Sequence, residues 1–177
     1  MAKVEVPYDQ YLREADQSLN RGGAFLASVD AAGRPNVMTI GWGLLGTIWG
    51  KPIYMALVRP SRYTYGCLEA TGDFTVNIPY PEQGDELALC GSRSGRDLDK
   101  FAACDFTPLP GPTSSLGITE CGLTFFCRVV HYNDLIPAQL ATEIAAGAYP
   151  SGDFHRCYFG EILRTVADED FVTRFAD

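Results

Sequence analysis

The 177-residue sequence lacks most of the features that mark large functional classes. Its 14 Lys and Arg residues are outnumbered by 22 Asp and Glu residues, which gives a formal net charge of −8. Clustered basic residues, which binding to a nucleic acid backbone requires, are therefore not expected. No apolar run reaches the roughly 20 residues of a membrane-spanning helix. We expect neither nucleic acid nor a membrane as a partner.

Targeting, disulfide and metal signals are also missing. The N-terminal residues lack the basic start and apolar centre of a signal peptide, which predicts a cytoplasmic location. Six cysteines show no C-x-x-C spacing, so we expect free thiols. The two histidines, His131 and His155, have no partner at zinc-site spacing, and no metal site is predicted.

Common catalytic motifs are absent as well. The sequence has no G-x-G-x-x-G fingerprint, no P-loop and no G-x-S-x-G nucleophile elbow. No residue is assigned a catalytic role. With 46% apolar and 12% aromatic residues the chain is globular, and it contains no repeat or linker. We predict a single domain over residues 1–177.

The hydrophobic pattern predicts many strands and few, short helices. An amphipathic helix is expected over about residues 7–20. Strands are predicted at residues 24–29, 36–40, 47–49, 52–58, 73–78, 122–131 and 156–166, and short helices at 61–70, 82–90 and 97–103. Parallel βαβ units would need longer helices between strands. The predicted fold is therefore mainly β with α additions, a β-barrel with short helices at its rim.

The segment from Arg59 to Thr64 is the first candidate site. Pro60 ends an apolar strand, and Ser61 is a suitable N-cap for the next helix. A helix N-terminus with Arg59, Arg62 and the hydroxyls of Ser61 and Thr64 around it would bind a phosphate. An ordinary capped helix with solvated arginines explains the same residues equally well.

The loop after Cys90 is the second candidate. Gly95 permits close backbone approach to a ligand, and Ser92, Ser94 and Lys100 supply hydrogen-bond donors. This loop could form a second wall of the same pocket. Taken singly, a solvated surface loop is the simpler interpretation.

Two further segments carry weaker signals. The uncharged strand from Asn36 to Gly43 offers backbone groups and soft apolar contacts to a flat heteroaromatic ring, although core packing explains its periodicity as well. His155 begins a long strand, where it could touch a ligand or bond a loop carbonyl.

Five segments in register resemble the flavin reductase-like family, and within it the flavoredoxin type. They are Asn36–Gly43, Arg59–Thr64, Phe74–Pro79, Ser94–Gly95 with Asp99–Phe101, and His155 with Tyr158–Glu161. Their order and gaps match over about residues 20–166, and residues 135–152 match least. The resemblance implies an FMN-binding split β-barrel that forms a homodimer, with FMN held noncovalently near the subunit interface.

The resemblance also implies which residues bind the cofactor. The isoalloxazine ring would lie against Met38, Thr39, Ile40, Trp42 and Gly43, beside Asn36. The phosphate side would use Arg59, Ser61, Thr64, Ser92, Ser94, Gly95 and Lys100, with His155 as a further contact.

The implied activity is redox chemistry between a donor and an acceptor. NADH, NADPH or a redox partner protein would supply the electrons. Three alternatives stay open at this point: an FMN-dependent reductase, an FMN-holding electron carrier without nicotinamide oxidase activity, and a barrel that has lost its cofactor.

Overall fold

The computed structural model describes residues 2–176, and antiparallel strands make up most of it. The strands are β1 (Lys3–Glu5), β2 (Ala24–Val29), β3 (Pro35–Ile40), β4 (Gly43–Ile48), β5 (Lys51–Val58), β6 (Asp73–Ile78), β7 (Pro108–Leu109), β8 (Gly117–Ile118), β9 (Leu123–Asp134) and β10 (Arg156–Asp168). The helices are α1 (Leu12–Asn20), α2 (Tyr63–Thr71), α3 (Gly84–Ser92), α4 (Lys100–Ala103), α5 (Thr142–Ala148) and α6 (Phe171–Ala176).

The main sheet is rolled. Its strands follow the order β3-β2-β6-β9-β10-β5-β4, so β3 and β4 lie at its two ends, and β1 pairs with β10. Only Gly41 and Trp42 connect β3 to β4. This connection spans at most about 11 Å because consecutive Cα atoms are 3.8 Å apart. The two ends of the sheet must therefore curl towards each other, and residues 41–42 bridge the split between them.

The core lies inside this curved sheet. All six residues of β2 and all six of β6 are buried; β2 pairs with β6, and β6 pairs with β9. Phe74, Phe125 and Tyr54 are among the largest fully buried side chains. Asn77 is buried with them, and its Oδ1 accepts hydrogen bonds from the Ile118 N–H and the Thr124 hydroxyl. Asn77 therefore has a structural role in joining β6 to β8 and β9.

Several predicted strands match the structure closely. The strands β2 and β6 have the predicted bounds, and β10 begins at Arg156 as expected. The β2–β3 turn is fixed by Asp30, whose Oδ1 accepts from the N–H groups of Ala32 and Arg34.

The predicted strand at residues 47–49 is wrong in its bounds. The observed strand β4 starts at Gly43 and ends at Ile48, because Trp49 and Gly50 both have positive φ and form the turn into β5. The predicted N-terminal helix at about 7–20 also starts too early. A turn in which the Gln10 N–H bonds the Pro7 carbonyl precedes α1, which begins at Leu12.

Five of these strands and helices were not predicted from the sequence: β1, β7, β8, α5 and α6. Among residues 2–176, no helix is long and apolar enough to cross a membrane.

Candidate functional site

The turn between β5 and α2 is one wall of the candidate site. The helix N-cap position is Arg62, with extended backbone, and no side chain caps the helix. The predicted capping role of Ser61 is therefore wrong. Its hydroxyl donates to the Asp153 carboxylate over 2.6 Å and its N–H donates to the same group over 3.2 Å. Ser61 therefore donates to a charged acceptor from a loop that is distant in sequence, and its side chain does not cap the helix.

The loop after α3 meets this turn and encloses a cavity of about 160 Å³. Gly95 packs directly against Asn36 and Tyr63. A Cβ at this position would lie 2.1 Å from Asn36 Oδ1 and 2.8 Å from Tyr63 Cδ1, so only glycine fits. Asn36 is buried, and its Nδ2 donates to Thr64 Oγ1 over 2.9 Å. The two segments thus share a packed junction beside the cavity.

The cavity is strongly cationic in a protein whose net charge is −8. Arg62, Arg93, Arg96 and Lys100 line it, and none of its described lining residues is acidic. Within residues 2–176, the Arg62 guanidinium forms no ion pair or side-chain hydrogen bond. Oriented cations beside a helix N-terminus attract an anion such as a phosphate.

Lys100 is a buried cation in this cavity wall. Lys100 is only 3% exposed, and its Nζ donates a hydrogen bond to the Cys90 carbonyl over 2.9 Å. Burial lowers its pKa from the ordinary value. The ammonium has three donors, so donors remain for an anion in the cavity after the Cys90 bond.

A second cavity, of about 180 Å³, adjoins the first. Met38, Thr39 and Arg62 line both, so the two cavities are neighbours, and together they are called the cleft. The second cavity lies at the split of the sheet, between the β3–β4 connection and the end of β5. Its remaining lining residues are Ile40, Gly41, Trp42, Leu57, Arg59 and His155.

His155 is a neutral histidine at the wall of this second cavity. Its Nδ1 lies 2.7 Å from the Tyr149 hydroxyl, and its ring centroid lies 5.2 Å from that of Trp42. Burial, together with the charge of Arg59, lowers the pKa of His155 to about 4. The imidazole is therefore uncharged at neutral pH.

Arg59 holds the segment before β10 against the site through hydrogen bonds. Its guanidinium donates to the Ala148 carbonyl over 2.9 Å and to the Asp153 carbonyl over 3.2 Å. It also lies 4.9 Å from the centroid of the Tyr149 ring. Arg59 contributes positive charge to the second cavity, but its hydrogen bonds hold protein backbone.

The structure brings nearly all of the predicted site residues together. Asn36, Met38, Thr39, Ser61, Thr64, Ser92, Ser94, Gly95 and Lys100 line the first cavity, and Met38, Thr39, Ile40, Trp42, Arg59 and His155 line the second.

Gly43 lies outside the two cavities, at the start of β4. A Cβ there would lie 3.0 Å from Tyr54 Cε1, so the glycine allows close packing against that ring. Two predicted site residues, Thr39 on the ring side and Ser92 on the phosphate side, have hydroxyls that are engaged within the protein. The Thr39 hydroxyl donates to the Leu87 carbonyl, and the Ser92 hydroxyl bonds back to the Ala88 carbonyl of its own helix.

Sequence reasoning predicted Arg62 as a phosphate donor but missed the contributions of Arg93, Arg96 and Asp153. The two missed arginines lie within the second candidate segment, so their positive charge was an available signal. Asp153 gave no local signal, because its contact with Ser61 joins residues 92 positions apart in the sequence.

Relatives with solved structures share this fold. The flavoredoxin of Methanosarcina acetivorans is 25% identical, with a TM-score of 0.67 over 84% of this chain and 69% of that one. The flavoredoxin of Desulfovibrio vulgaris (Miyazaki F) is 23% identical, with a TM-score of 0.66 over 83% and 69%. An FMN-binding protein from Thermus thermophilus, solved with p-hydroxybenzaldehyde, is 19% identical, with a TM-score of 0.67 over 98% and 83%.

Sequence comparison leads to the same family. The uncharacterized protein YddH of Escherichia coli is 28% identical over 161 residues, which cover 89% of this chain and 76% of that protein. The model of the flavin reductase like domain matches residues 17–173. These findings confirm the predicted fold class, a mainly β split barrel with added helices. The chain belongs to the flavin reductase-like domain family.

Proposed function

We propose that this protein binds FMN noncovalently in the neighbouring cavities and acts as an oxidoreductase of the flavin reductase or flavoredoxin type. The observation that carries the proposal is that the two cavities are neighbours and share three lining residues. The first is lined by four cations, and the second lies beside an aromatic residue at the split of the sheet. FMN has the same division into an anionic phosphate and a flat heteroaromatic ring.

The donor set at the cationic end fits a phosphate. Arg62 and Lys100 provide charged donors, and the N-terminus of α2 provides backbone N–H groups. Gly95 keeps the loop close to Asn36, which leaves the cavity free of a side chain at that point. These residues would hold the phosphate and contribute mainly to retention of the cofactor.

The residues at the other end suit the ring. Met38, Ile40 and Trp42 offer apolar contact, and the neutral His155 adds a polar atom without a charge. The bound flavin supplies the hydride and electron transfer chemistry, for which the protein provides position and electrostatics. Tyr149 orients the His155 ring through its hydroxyl, and Arg59 holds the backbone that carries both residues.

The electron donor in this proposal is NADH, NADPH or a redox partner protein. The visible absorption spectrum of the purified protein tests FMN binding directly, since bound flavin is yellow. Adding NADH and then NADPH to separate anaerobic samples tests the donor. Bleaching by one of them, with turnover in air, supports a nicotinamide-dependent reductase.

The other results separate the remaining possibilities. A yellow protein that neither nicotinamide bleaches acts as an electron carrier that depends on a protein partner. A colourless protein that does not bind added FMN contradicts the proposal as a whole.

We also propose a cytoplasmic homodimer with the cleft near the subunit interface. Exposed apolar side chains support the dimer, because Trp42, Leu44 and Ile144 are about half exposed or more. Light scattering on the purified protein tests the oligomeric state.

A further inference from the structure

We propose that Cys90 and Cys104 form a redox-active dithiol, and that its oxidation to a disulfide clamps the loop that lines the cationic cavity. The two Sγ atoms lie 3.8 Å apart. A disulfide requires a separation of about 2.05 Å, so the sulfurs must approach by a little less than 2 Å. Rotation of the two side chains moves sulfur atoms over distances of this size.

The pair is singled out among the cysteines. All six are free, and no other pair of cysteines in residues 2–176 makes a thiol-to-thiol hydrogen bond. Cys90 lies in the last turn of α3 and Cys104 directly follows α4. Both belong to the small apolar cluster around Phe101 and Phe106, which is separate from the main core.

The position of the pair connects it to the cavity. Cys90 itself lines the cationic cavity, and its carbonyl accepts the hydrogen bond from Lys100. The residues between the two cysteines include Ser94, Gly95 and Arg96, which line the same cavity. A bond between the two sulfurs would close this stretch into a loop and fix α4 against the end of α3.

The two thiols differ in access. Cys90 is 1% exposed, whereas Cys104 is half-buried, so Cys104 is the sulfur that meets an oxidant. Burial raises the pKa of Cys90 to about 12 and also raises that of Cys104. The charges facing the pair are the ammonium of Lys100 and the carboxylates of Glu86 and Asp105.

The oxidant in this proposal is a low-molecular-weight disulfide. The Cys104 sulfur attacks one sulfur of that disulfide, loses its proton to solvent and releases the other half as a thiol. Cys90 then loses its proton and attacks the Cys104 sulfur of the mixed disulfide, which releases the second half as a thiol. Two protein thiols are oxidised, and one small disulfide is reduced to two thiols.

The first experiment uses oxidised glutathione on the full-length protein. After denaturation, alkylation should detect a fall in free thiols from six to four, a loss of two. Peptide mapping without reductant should show one cross-linked peptide pair that contains Cys90 and Cys104. Cys104→Ser should prevent the cross-link. Cys67→Ser is the matched control and should leave it unchanged, because Cys67 lies on α2 and hydrogen-bonds the Tyr63 carbonyl.

The second experiment is hydrogen exchange of the reduced and oxidised wild type. The amides of residues 91–99 should exchange several-fold more slowly after oxidation, and dithiothreitol should reverse the effect. Neither experiment needs bound flavin, so a failure of the cofactor proposal does not affect them.

Three results would overturn the inference. One is a stable glutathione adduct on Cys104 without the internal bond. Another is a cross-link to a different cysteine. The third is a Cys90–Cys104 bond that leaves exchange of residues 91–99 unchanged, which would contradict the clamp.

Discussion

At the scale of single residues, position 95 has the strictest geometric requirement in the site, because only glycine fits there. We expect Gly95→Ala to weaken FMN binding, because its methyl group would meet the Asn36 amide at 2.1 Å and push the loop away from α2. Overpacking of this kind costs about 1 to 3 kcal/mol. Fluorescence titration of the variant with FMN and thermal unfolding of the same sample measure the two effects.

The control for this variant is Gly66→Ala, on α2. No atom outside its own helix lies within 4 Å of the Cβ position at Gly66, and alanine favours a helix over glycine. This variant should bind FMN as the wild type does. Equal FMN affinity of Gly95→Ala and Gly66→Ala would contradict the role of the junction.

Arg62 is the residue most available to a phosphate, because it lines both cavities and its guanidinium pairs with no described side chain. We expect Arg62→Ala to reduce affinity for FMN by about 1.5 to 3 kcal/mol, the range for a hydrogen bond to a charged group. Affinity for riboflavin, which lacks the phosphate, should change much less. Parallel titrations with the two flavins measure the difference.

Arg164→Ala serves as the charge-matched control, since Arg164 pairs with Glu5 on an exposed surface away from the cleft. An equal loss of FMN and riboflavin affinity in Arg62→Ala would place the guanidinium at the ring end instead of the phosphate end.

His155 should give the protein an acid-sensitive step in stability. Its folded-state pKa of about 4 lies below the ordinary value of 6.5, so between these pH values the unfolded chain binds a proton that the folded protein does not. The free energy of unfolding should therefore fall as the pH drops from about 6.5 to about 4.

Two measurements check this prediction. The histidine NMR resonance that disappears in His155→Gln should titrate with a midpoint near 4. Urea unfolding of His155→Gln should also lose less stability across that pH range than the wild type. A midpoint near 6.5 in the wild type would rule out the buried, neutral state.

The local sequence identifies residue types at the site but not their contacts. Glycine at position 95 suggests close approach, and the structure gives Asn36 as the neighbour. Serine is a residue type typical of an N-cap, yet the Ser61 hydroxyl donates to Asp153. The fold of the whole sheet brings Asp153 near Ser61. A local sequence pattern contains no information about such a contact.

At the scale of elements, the segment from α5 to β10 forms a cover beside the cleft. Arg59 binds its backbone at Ala148 and Asp153, and the Asp153 carboxylate binds Ser61. Asp153 adopts a φ of 58°, a left-handed conformation that aspartate tolerates better than most residues. The segment therefore depends on a few polar contacts with the β5–α2 turn.

We expect Asp153→Ala to increase the hydrogen exchange of residues 142–153. Loss of the bonds to Ser61 should lower the local opening free energy by about 1.5 kcal/mol, the lower end for bonds to a charged group because Ser61 is exposed. Asp153→Asn, which retains a carbonyl acceptor and tolerance of positive φ, should have a smaller effect. Glu143→Ala, on the same segment, should have none.

Equal exchange in the wild type and Asp153→Ala would show that apolar packing around Tyr149 holds this segment without Asp153. The stacking of Tyr149 on Phe154, with ring centroids 4.7 Å apart, would then be the principal contact.

Strands with strong local patterns could be predicted from the sequence, and weakly patterned ones could not. The alternating polar and apolar pattern of residues 73–78 gives β6 with the right bounds. The glycines at positions 43 and 46 weaken the strand pattern in the sequence of β4. The conformation of this strand is set by its pairing with β5. Strand β1 has three residues and forms only because Lys3 to Glu5 pair with the end of β10, far along the chain.

At the scale of the whole molecule, the short β3–β4 connection couples the fold to the site. Because Gly41 and Trp42 bridge the two ends of the rolled sheet, the split of the sheet and the second cavity coincide. The same arrangement leaves β4 as a terminal strand with free backbone groups. Exposed edge strands with apolar side chains favour association with another chain.

The last prediction concerns this edge. Leu44 on β4 is 66% exposed, and Trp42 beside it is 48% exposed. We expect Leu44→Lys to shift the proposed homodimer towards monomer, because a charge at an interface core must lose its water. Light scattering over a range of protein concentrations measures the shift. Val172→Lys, at a 46% exposed position on α6, is the control and should remain dimeric.

The cofactor content of the Leu44→Lys monomer then separates two arrangements of the site. A cleft completed by the second subunit should lose FMN on dissociation, whereas a cleft built within one chain should retain it. A wild-type protein that is monomeric at all concentrations would contradict the dimer, and its apolar edge would then require another explanation. Both cavities are lined by residues of a single chain, so we expect the monomer to retain FMN.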